Sequence, residues 1–290
     1  MAIIRARVLG FCMGVRRAVE LATVQAQKAA QEGSALYTLG KLIHNPQVLD
    51  DLEKLGITAL NQNSYGQIKD KNCCVIIRAH GISPQAEEKL RGIGCKIIDA
   101  TCPNVKKNQL KTQELSRAGY SLFLAGESAH AEIEGITGYA NCAPFCKAVI
   151  NTRQAGEAAA ALHETNSNAK TALIGQTTIS EDEYGGIGNE IKKYFPNLEI
   201  VNTICAATAE RRQALRELLN NADAVIIAGG KESANTRRLL LIAQESGKPC
   251  AIVEQVEEIP ENFFSYKTVG ISAGASTPDS LIDEIETAFK

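Results

Sequence analysis

Apolar residues along this chain fall into short, nearly continuous runs, each followed by a longer stretch in which they recur every three or four positions. Ala35-Leu36-Tyr37-Thr38-Leu39, Ser121-Leu122-Phe123-Leu124-Ala125, Thr171-Ala172-Leu173-Ile174-Gly175 and Ala224-Val225-Ile226-Ile227-Ala228 are the clearest runs. The pattern predicts strands over 3–9, 35–39, 74–79, 96–99, 121–125, 147–151, 171–175, 199–204, 224–228, 250–254 and 268–272. Helices are expected between most of them, for example over 15–31, 84–91, 105–117, 210–220 and 278–289. Ser83-Pro84 and Thr277-Pro278 each offer a hydroxyl at the N-cap and a proline at the first helical position. Strand and helix in alternation predict an α/β fold of parallel sheets with helices on both faces.

Three cysteines end such runs in three successive thirds of the 290 residues: Cys12 in Gly10-Phe11-Cys12-Met13-Gly14, Cys102 in Asp99-Ala100-Thr101-Cys102-Pro103 and Cys205 in Ile204-Cys205-Ala206-Ala207-Thr208. About thirty residues after each come His44, His130 and Asn235; about seventy after come His80, Thr177 and Ser276. This is the pattern of an internal three-fold repeat of function-bearing loops. It predicts three pseudo-three-fold-related lobes, each a small, mostly parallel sheet flanked by helices: 13–102, 103–202, and 1–12 with 203–290. Open parallel sheets bind ligands beyond the carboxyl ends of their strands. Three sheets that point those ends at one centre would bring the cysteines to a common cavity.

Composition narrows the function classes. A chain with 44% hydrophobic residues can bury a sizeable core or several small ones. The net charge of −2 is spread without a basic stripe, which argues against nucleic acid and against a membrane surface. The N-terminus lacks a signal peptide's apolar stretch and no run is long enough to span a bilayer, so a soluble, cytoplasmic chain is expected. Nine cysteines in such a chain point to metal ligation or buried thiols, not to a disulfide framework. Cys73, Cys74, Cys95, Cys142, Cys146 and Cys250 read as small buried hydrophobes. The four-residue spacing of Cys142 and Cys146 is a weak metal signal.

The Cys12, Cys102 and Cys205 tripod suits a metal centre with one open position. Three thiolates would blunt the acidity of zinc, whereas a [4Fe–4S] cube takes three and leaves one iron free. Cys102-Pro103 fits the cysteine–proline pairing of cluster ligation. Spacing alone leaves three buried thiols as the alternative. His44, His80 and His130 can charge near neutral pH and suit a phosphate-like anion, with Ser233, Asn235 and Ser276 as neutral donors. His163 reads as a solvated helix residue. Glu132 is the acid candidate, since burial near negative charge raises a carboxyl pKa. Glu134 reads as a helix-start carboxylate. Thr177 could hold a hydroxyl or relay a proton, with Thr178 its competitor. Gly229-Gly230-Lys231-Glu232-Ser233 is not a P-loop, and Gly185-Gly186-Ile187-Gly188 follows no clear strand, so neither ATP nor NAD is supported.

These residues together resemble the 4-hydroxy-3-methylbut-2-enyl diphosphate reductase family of the non-mevalonate isoprenoid route. The likeness runs over essentially the whole chain. It covers Gly10-Phe11-Cys12 through Val19, His44-Asn45, Ala79-His80-Gly81, Asp99 to Pro103, His130-x-Glu132-x-Glu134-Gly135, Gln176-Thr177-Thr178, Ile204-Cys205-x-Ala207-Thr208, Ser233-x-Asn235 and Ala273-Gly274-Ala275-Ser276. The resemblance implies a [4Fe–4S] cluster on Cys12, Cys102 and Cys205, which oxidation could reduce to a [3Fe–4S] remnant. It implies removal of the substrate's 4-hydroxyl as water, with two electrons and two protons, to give isopentenyl and dimethylallyl diphosphates. His44, His80, Ser233, Asn235 and Ser276 would hold the diphosphate, His130 would line the same site, Glu132 would supply protons and Thr177 would contact the hydroxyl. Ferredoxin or flavodoxin would donate electrons. Ala131 stands where the family usually has proline, and Ala234, within the anion-binding segment, where it has a second Ser or Thr. Ala206 and Ala209-Glu210-Arg211 depart from the usual Tyr and Thr-Asn-Arg.

Three rivals come from other classes. One is a cluster enzyme that dehydrates without net reduction, such as quinolinate synthase. Another is an iron–sulfur sensor, though no DNA-binding motif supplies its output. The third is a thiol-rich binding protein without metal.

Overall fold

The computed structural model describes residues 1–43, 45–61, 64–68 and 73–290. Its strands are β1 (Ala2–Arg5), β2 (Ala35–Leu39), β3 (Ile57–Leu60), β4 (Cys73–Ile77), β5 (Lys96–Asp99), β6 (Ser121–Ala125), β7 (Cys146–Val149), β8 (Thr171–Gly175), β9 (Glu199–Ile200), β10 (Ala224–Ala228), β11 (Cys250–Val253) and β12 (Thr268–Ala273). The helices are α1 (Met13–Glu32), α2 (Pro46–Lys54), α3 (Pro84–Ile93), α4 (Pro103–Arg117), α5 (Ala131–Tyr139), α6 (Thr152–Thr165), α7 (Glu181–Lys192), α8 (Ala206–Leu219), α9 (Ala234–Glu245) and α10 (Asp279–Ala288).

The strands form three four-stranded sheets, ordered β3-β2-β4-β5, β7-β6-β8-β9 and β11-β10-β12-β1. Every described pairing is parallel. The three orders are one topology used three times: the first strand sits inside the second, and the third and fourth follow on its other side. In the third sheet the N-terminal β1 supplies the fourth strand, which carries Cys12 into the position that Cys102 and Cys205 hold after β5 and β9. The landmarks fall in register. After the fourth strand comes a cysteine, after the third comes His80, Thr177 or Ser276, and after the first comes His130, Asn235 or His44, the last outside the described residues.

The central strands are buried on both faces, which accounts for their continuous apolar runs. In β10, Ala224, Ile226 and Ala228 enter a core with Phe263, Leu281 and Ile285. Val225 and Ile227 face the opposite core with Leu215, Leu218 and Leu239. In β6, Phe123 and Ala125 pack with Tyr184, Ile187 and Phe195, and Leu122 and Leu124 with Leu115 and Ile136.

Two compact units are distinguishable. Met1–Ala30, Lys41–Ala59 and Ala206–Lys290 make the first; Gln31–Gly40 and Leu60–Cys205 make the second.

The α/β class and the three sheets match expectation, and four local details differ. β1 ends at Arg5, short of residue 9, and β9 is the pair Glu199–Ile200 at a sheet edge. β3 was not expected. Ser83 caps α3 with Pro84 behind it, its Oγ accepting from the Ala86 amide at 3.2 Å. The parallel expectation for Thr277-Pro278 fails. Pro278 itself is the N-cap of α10, and the Thr277 hydroxyl donates instead to the Ala228 carbonyl at 2.9 Å.

Candidate functional site

In the second unit the site is built outward from Glu132. His130 caps α5, its Nδ1 accepting from the Glu132 amide at 3.2 Å, so in the neutral ring the proton sits on Nε2. Glu132 lies in the first turn, 2% exposed. Its carboxylate meets the loop after β8: the Thr177 amide donates to Oε1 at 2.8 Å and the Thr177 hydroxyl to Oε2 at 3.0 Å. Burial pushes the carboxyl up to about 7, against the pull of the two Thr177 bonds in the other direction. Glu132 can therefore hold or release a proton near neutral pH. His80 follows β4, its ring 5.6 Å from that of His130 and nearly perpendicular to it. Gly81 makes that turn possible, with φ +72° and a place for Cβ already filled by the Gln109 amide. The buried Arg78 guanidinium steadies the same turn, 3.8 Å from Glu134 in α5.

The cysteines of this unit are tied to the same loops. The Cys102 amide donates to the Ala79 carbonyl at 2.9 Å, next to His80, and Cys102 is the N-cap of α4 with Pro103 behind it. The Cys205 amide donates to the Thr177 carbonyl at 2.9 Å, and its Sγ accepts from Asn104 Nδ2 at 3.2 Å. Thr177 thus joins Glu132 on one side to Cys205 on the other.

In the first unit, the Cys12 amide donates to the Ala275 carbonyl at 3.0 Å, binding the Cys12 loop to the Ser276 loop. Arg211 of α8 grips both from beneath. Its two Nη atoms donate to the Ala273 and Gly10 carbonyls, each at 2.9 Å, and the residue is 2% exposed. Gly10 has φ +75°, and a Cβ there would meet the Asp279 carboxylate. Ser276 is buried. Ser233 is the N-cap of α9, accepting from the Thr236 amide at 3.4 Å. The buried Asn235 Nδ2 has no hydrogen-bond partner among the described residues.

The structure therefore gathers Glu132, Thr177, His130, His80, Cys102 and Cys205 in one unit, and Cys12, Ser233, Asn235 and Ser276 in the other. Ala234 opens α9; His44 lies outside the described residues. Glu134 sits in the first turn of α5, as expected, and His163 is exposed on α6. All nine cysteines are thiols. Cys73, Cys74 and Cys95 are buried as expected, but Cys142 is exposed, and Cys146 and Cys250 are half-buried. Cys142 follows α5 in a surface turn, where its amide donates to Ser116 Oγ and its side chain meets solvent. Burial lifts the Cys146 thiol to about 11, which makes it a poor ligand or nucleophile. Asn104 and Arg211 are site-building residues that sequence reasoning missed. An amide side chain two residues after Cys102 was the only available signal for the first.

Among the described residues, no three His, Cys, Asp or Glu side chains are grouped as for a single metal ion. Thiolates that ligate different irons of a cube stand farther apart than ligands of one ion. The donor set of Cys12, Cys102 and Cys205 is chemically suited to such a cluster: three thiols outside any disulfide, partly accessible, each at the start of a helix whose amide end favours negative charge.

The LytB protein family matches residues 3–290 of the chain. A curated relative from Treponema denticola, named 4-hydroxy-3-methylbut-2-enyl diphosphate reductase, is 41% identical over 289 residues, spanning 99% of this chain and 98% of the relative. One of the same name from Aquifex aeolicus is 41% identical over 289 residues, spanning 99% and 96%. A solved structure of (E)-4-hydroxy-3-methyl-but-2-enyl diphosphate reductase, the terminal enzyme of the non-mevalonate pathway, aligns with a TM-score of 0.74 and 39% identity over 99% of this chain and 98% of that one. The Plasmodium falciparum E-1-hydroxy-2-methyl-but-2-enyl-4-diphosphate reductase structure aligns with a TM-score of 0.87 and 27% identity over 99% and 87%. Full-length likeness in sequence and fold, on top of the cysteine, histidine and Glu132 landmarks in register, means that the chain belongs to the LytB protein family and is an oxidoreductase.

Proposed function

We propose that the chain removes the 4-hydroxyl of 4-hydroxy-3-methylbut-2-enyl diphosphate as water, taking up two electrons and two protons and releasing isopentenyl and dimethylallyl diphosphates. The observation that carries this reading is Glu132: a carboxyl buried from water, tuned to about 7 and held by both donors of Thr177. A proton stored there can be given to a leaving hydroxyl without exposing the site to bulk water. Thr177 would touch that hydroxyl, a role supported by the bond that orients its Oγ on Glu132. Cys12, Cys102 and Cys205 would hold a [4Fe–4S] cluster, which when bound supplies the electrons and an open iron as Lewis acid.

The diphosphate falls to neutral and titratable donors: His44, His80, Ser233, Asn235 and Ser276, with His130 alongside. The buried Asn235 amide is a donor that a phosphate oxygen would satisfy. The Ala234 position contributes no hydroxyl to this group. Among the described residues no helix is long and apolar enough to cross a membrane. The enzyme would work in the cytoplasm, with a ferredoxin or flavodoxin as electron donor.

The test is anaerobic reconstitution, iron and sulfide analysis, and a dithionite-driven assay with the substrate. About four irons per chain and formation of both products are expected. Cys142→Ser should leave the iron content unchanged and Cys102→Ser should abolish it. A cluster without conversion would overturn the reaction, and retention of the cluster by Cys102→Ser would overturn the ligand set.

A further inference from the structure

The Asn104 amide stands in the first turn of α4, two residues after Cys102, and its Nδ2 reaches Cys205 Sγ at 3.2 Å. Both residues lie in the second unit. The contact therefore links a side chain beside one proposed ligand to the sulfur of another. Asn104 is not among the residues proposed to bind the diphosphate or to supply protons.

We infer that Asn104 is a tuning and positioning residue that donates an N–H···S hydrogen bond to Cys205 as a ligand sulfur. The chemistry selects this orientation. A metal-bound thiolate carries no proton, so it can only accept, and of the two ends of an amide only the NH2 can donate. Donation to a ligand sulfur withdraws electron density from it. The more reduced, more negative cluster is then stabilised relative to the oxidised one, and the reduction potential rises. The bond also fixes the Cys205 rotamer from outside its own loop. Two links already hold that loop in place: the Cys205 amide donates to the Thr177 carbonyl, and the Asn108 side-chain amide donates to the Thr203 carbonyl at 3.4 Å. Asn104 and Asn108 are one helical turn apart on α4, so a single face of the helix holds the Cys205 approach at two points.

This inference rests on the reading of Cys205 as a cluster ligand, and its test separates the two. Asn104→Leu removes the donor at similar volume. Asn104→Asp removes it and adds charge at a helix start, where a carboxylate is favourable and the fold is protected. In the reconstituted protein, an electrochemical titration followed by electron paramagnetic resonance should show a lower potential for Leu and a lower one still for Asp, at unchanged iron content. In the metal-free chain, peptide-resolved iodoacetamide labelling of Cys205 at one fixed pH should slow roughly three- to tenfold in Asn104→Leu, the factor a single net hydrogen bond carries. Potentials equal to wild type in both variants, with labelling unchanged, would overturn the inference and leave the proposed function standing. A wild-type chain that takes up no iron would sink both.

Discussion

Thr177 offers Glu132 both of its donors, the amide to Oε1 at 2.8 Å and the hydroxyl to Oε2 at 3.0 Å, while its carbonyl accepts from the Cys205 amide. The proton store and a proposed ligand loop therefore share one residue. Neither carboxylate oxygen can rotate away without breaking a bond. A rigid acid whose charge is opposed by burial and supported by two donors titrates between the values each effect would give alone, here about 7.

Glu132→Gln keeps the size of the side chain and removes its proton. Turnover should fall about a hundredfold or more, the usual worth of a positioned general acid, with substrate affinity and iron content little changed. In the wild type, turnover should decline as pH rises through about 7, because the protonated form is the one that acts. Near-normal turnover in the variant would remove Glu132 from the mechanism.

The same raised value has a sign for stability. An unfolded glutamate loses its proton near 4.5 and the folded Glu132 near 7, so between these the folded chain binds more protons and stability falls as pH rises. The contribution is fully present below 4.5 and gone above about 7, on the order of 3 kcal/mol for a shift of that size. Glu132→Gln should lack this slope. Urea unfolding of the metal-free chain at pH 5 and pH 8 measures it.

Thr177→Val deletes the hydroxyl donor and keeps the amide. The ionised carboxyl then loses one of its two supports, so the titration near 7 should move upward. Turnover should fall roughly tenfold through loss of the hydroxyl contact. A pH–rate profile with an unshifted midpoint would mean that the Thr177 hydroxyl does not govern Glu132.

The sequence made the sheets legible and singled out the residues on which the proposed chemistry rests, for different reasons. β2, β6, β8 and β10 were read to the residue because each is an apolar run closed off by turn residues, and β5 because Lys96 and Asp99 bracket its two isoleucines. β3 escaped because Ile57-Thr58-Ala59-Leu60 is short, with its two middle residues exposed. The span expected as a strand over 199–204 pairs only at its start: Val201 still donates to the Leu173 carbonyl at 3.0 Å, and 202–204 approach Cys205 as irregular chain. The cysteines, histidines and Glu132 were visible because few residue types can do their chemistry. Asn104 and Arg211 were not, since an asparagine or arginine in a helix is ordinary until the fold shows which atoms it faces.

Arg211 is a case where stability and site are coupled. Its guanidinium bridges the Gly10 and Ala273 carbonyls inside the first unit. Arg211→Met should cost roughly 3 kcal/mol or more, because two charge-assisted bonds vanish and two buried carbonyls lose their donor. Lysine, with one point of charge, should recover only part of it. Thermal unfolding gives the cost. Iron retention in the reconstituted variant should drop with it, since the Cys12 loop is held from Gly10.

Asn235→Ala should separate binding from folding with opposite signs. The Asn235 Nδ2 is buried without a partner among the described residues, so the folded chain bears the desolvation of an unused donor. Deleting it should leave stability unchanged or raise it by up to about 1 kcal/mol, where a supporting core amide would cost that much or more. If the donor is kept for a phosphate oxygen, KM for the diphosphate should rise tenfold or more, with kcat far less affected. Inorganic diphosphate should also bind more weakly to the metal-free variant. Lower stability with an unchanged KM would reassign Asn235 to the fold.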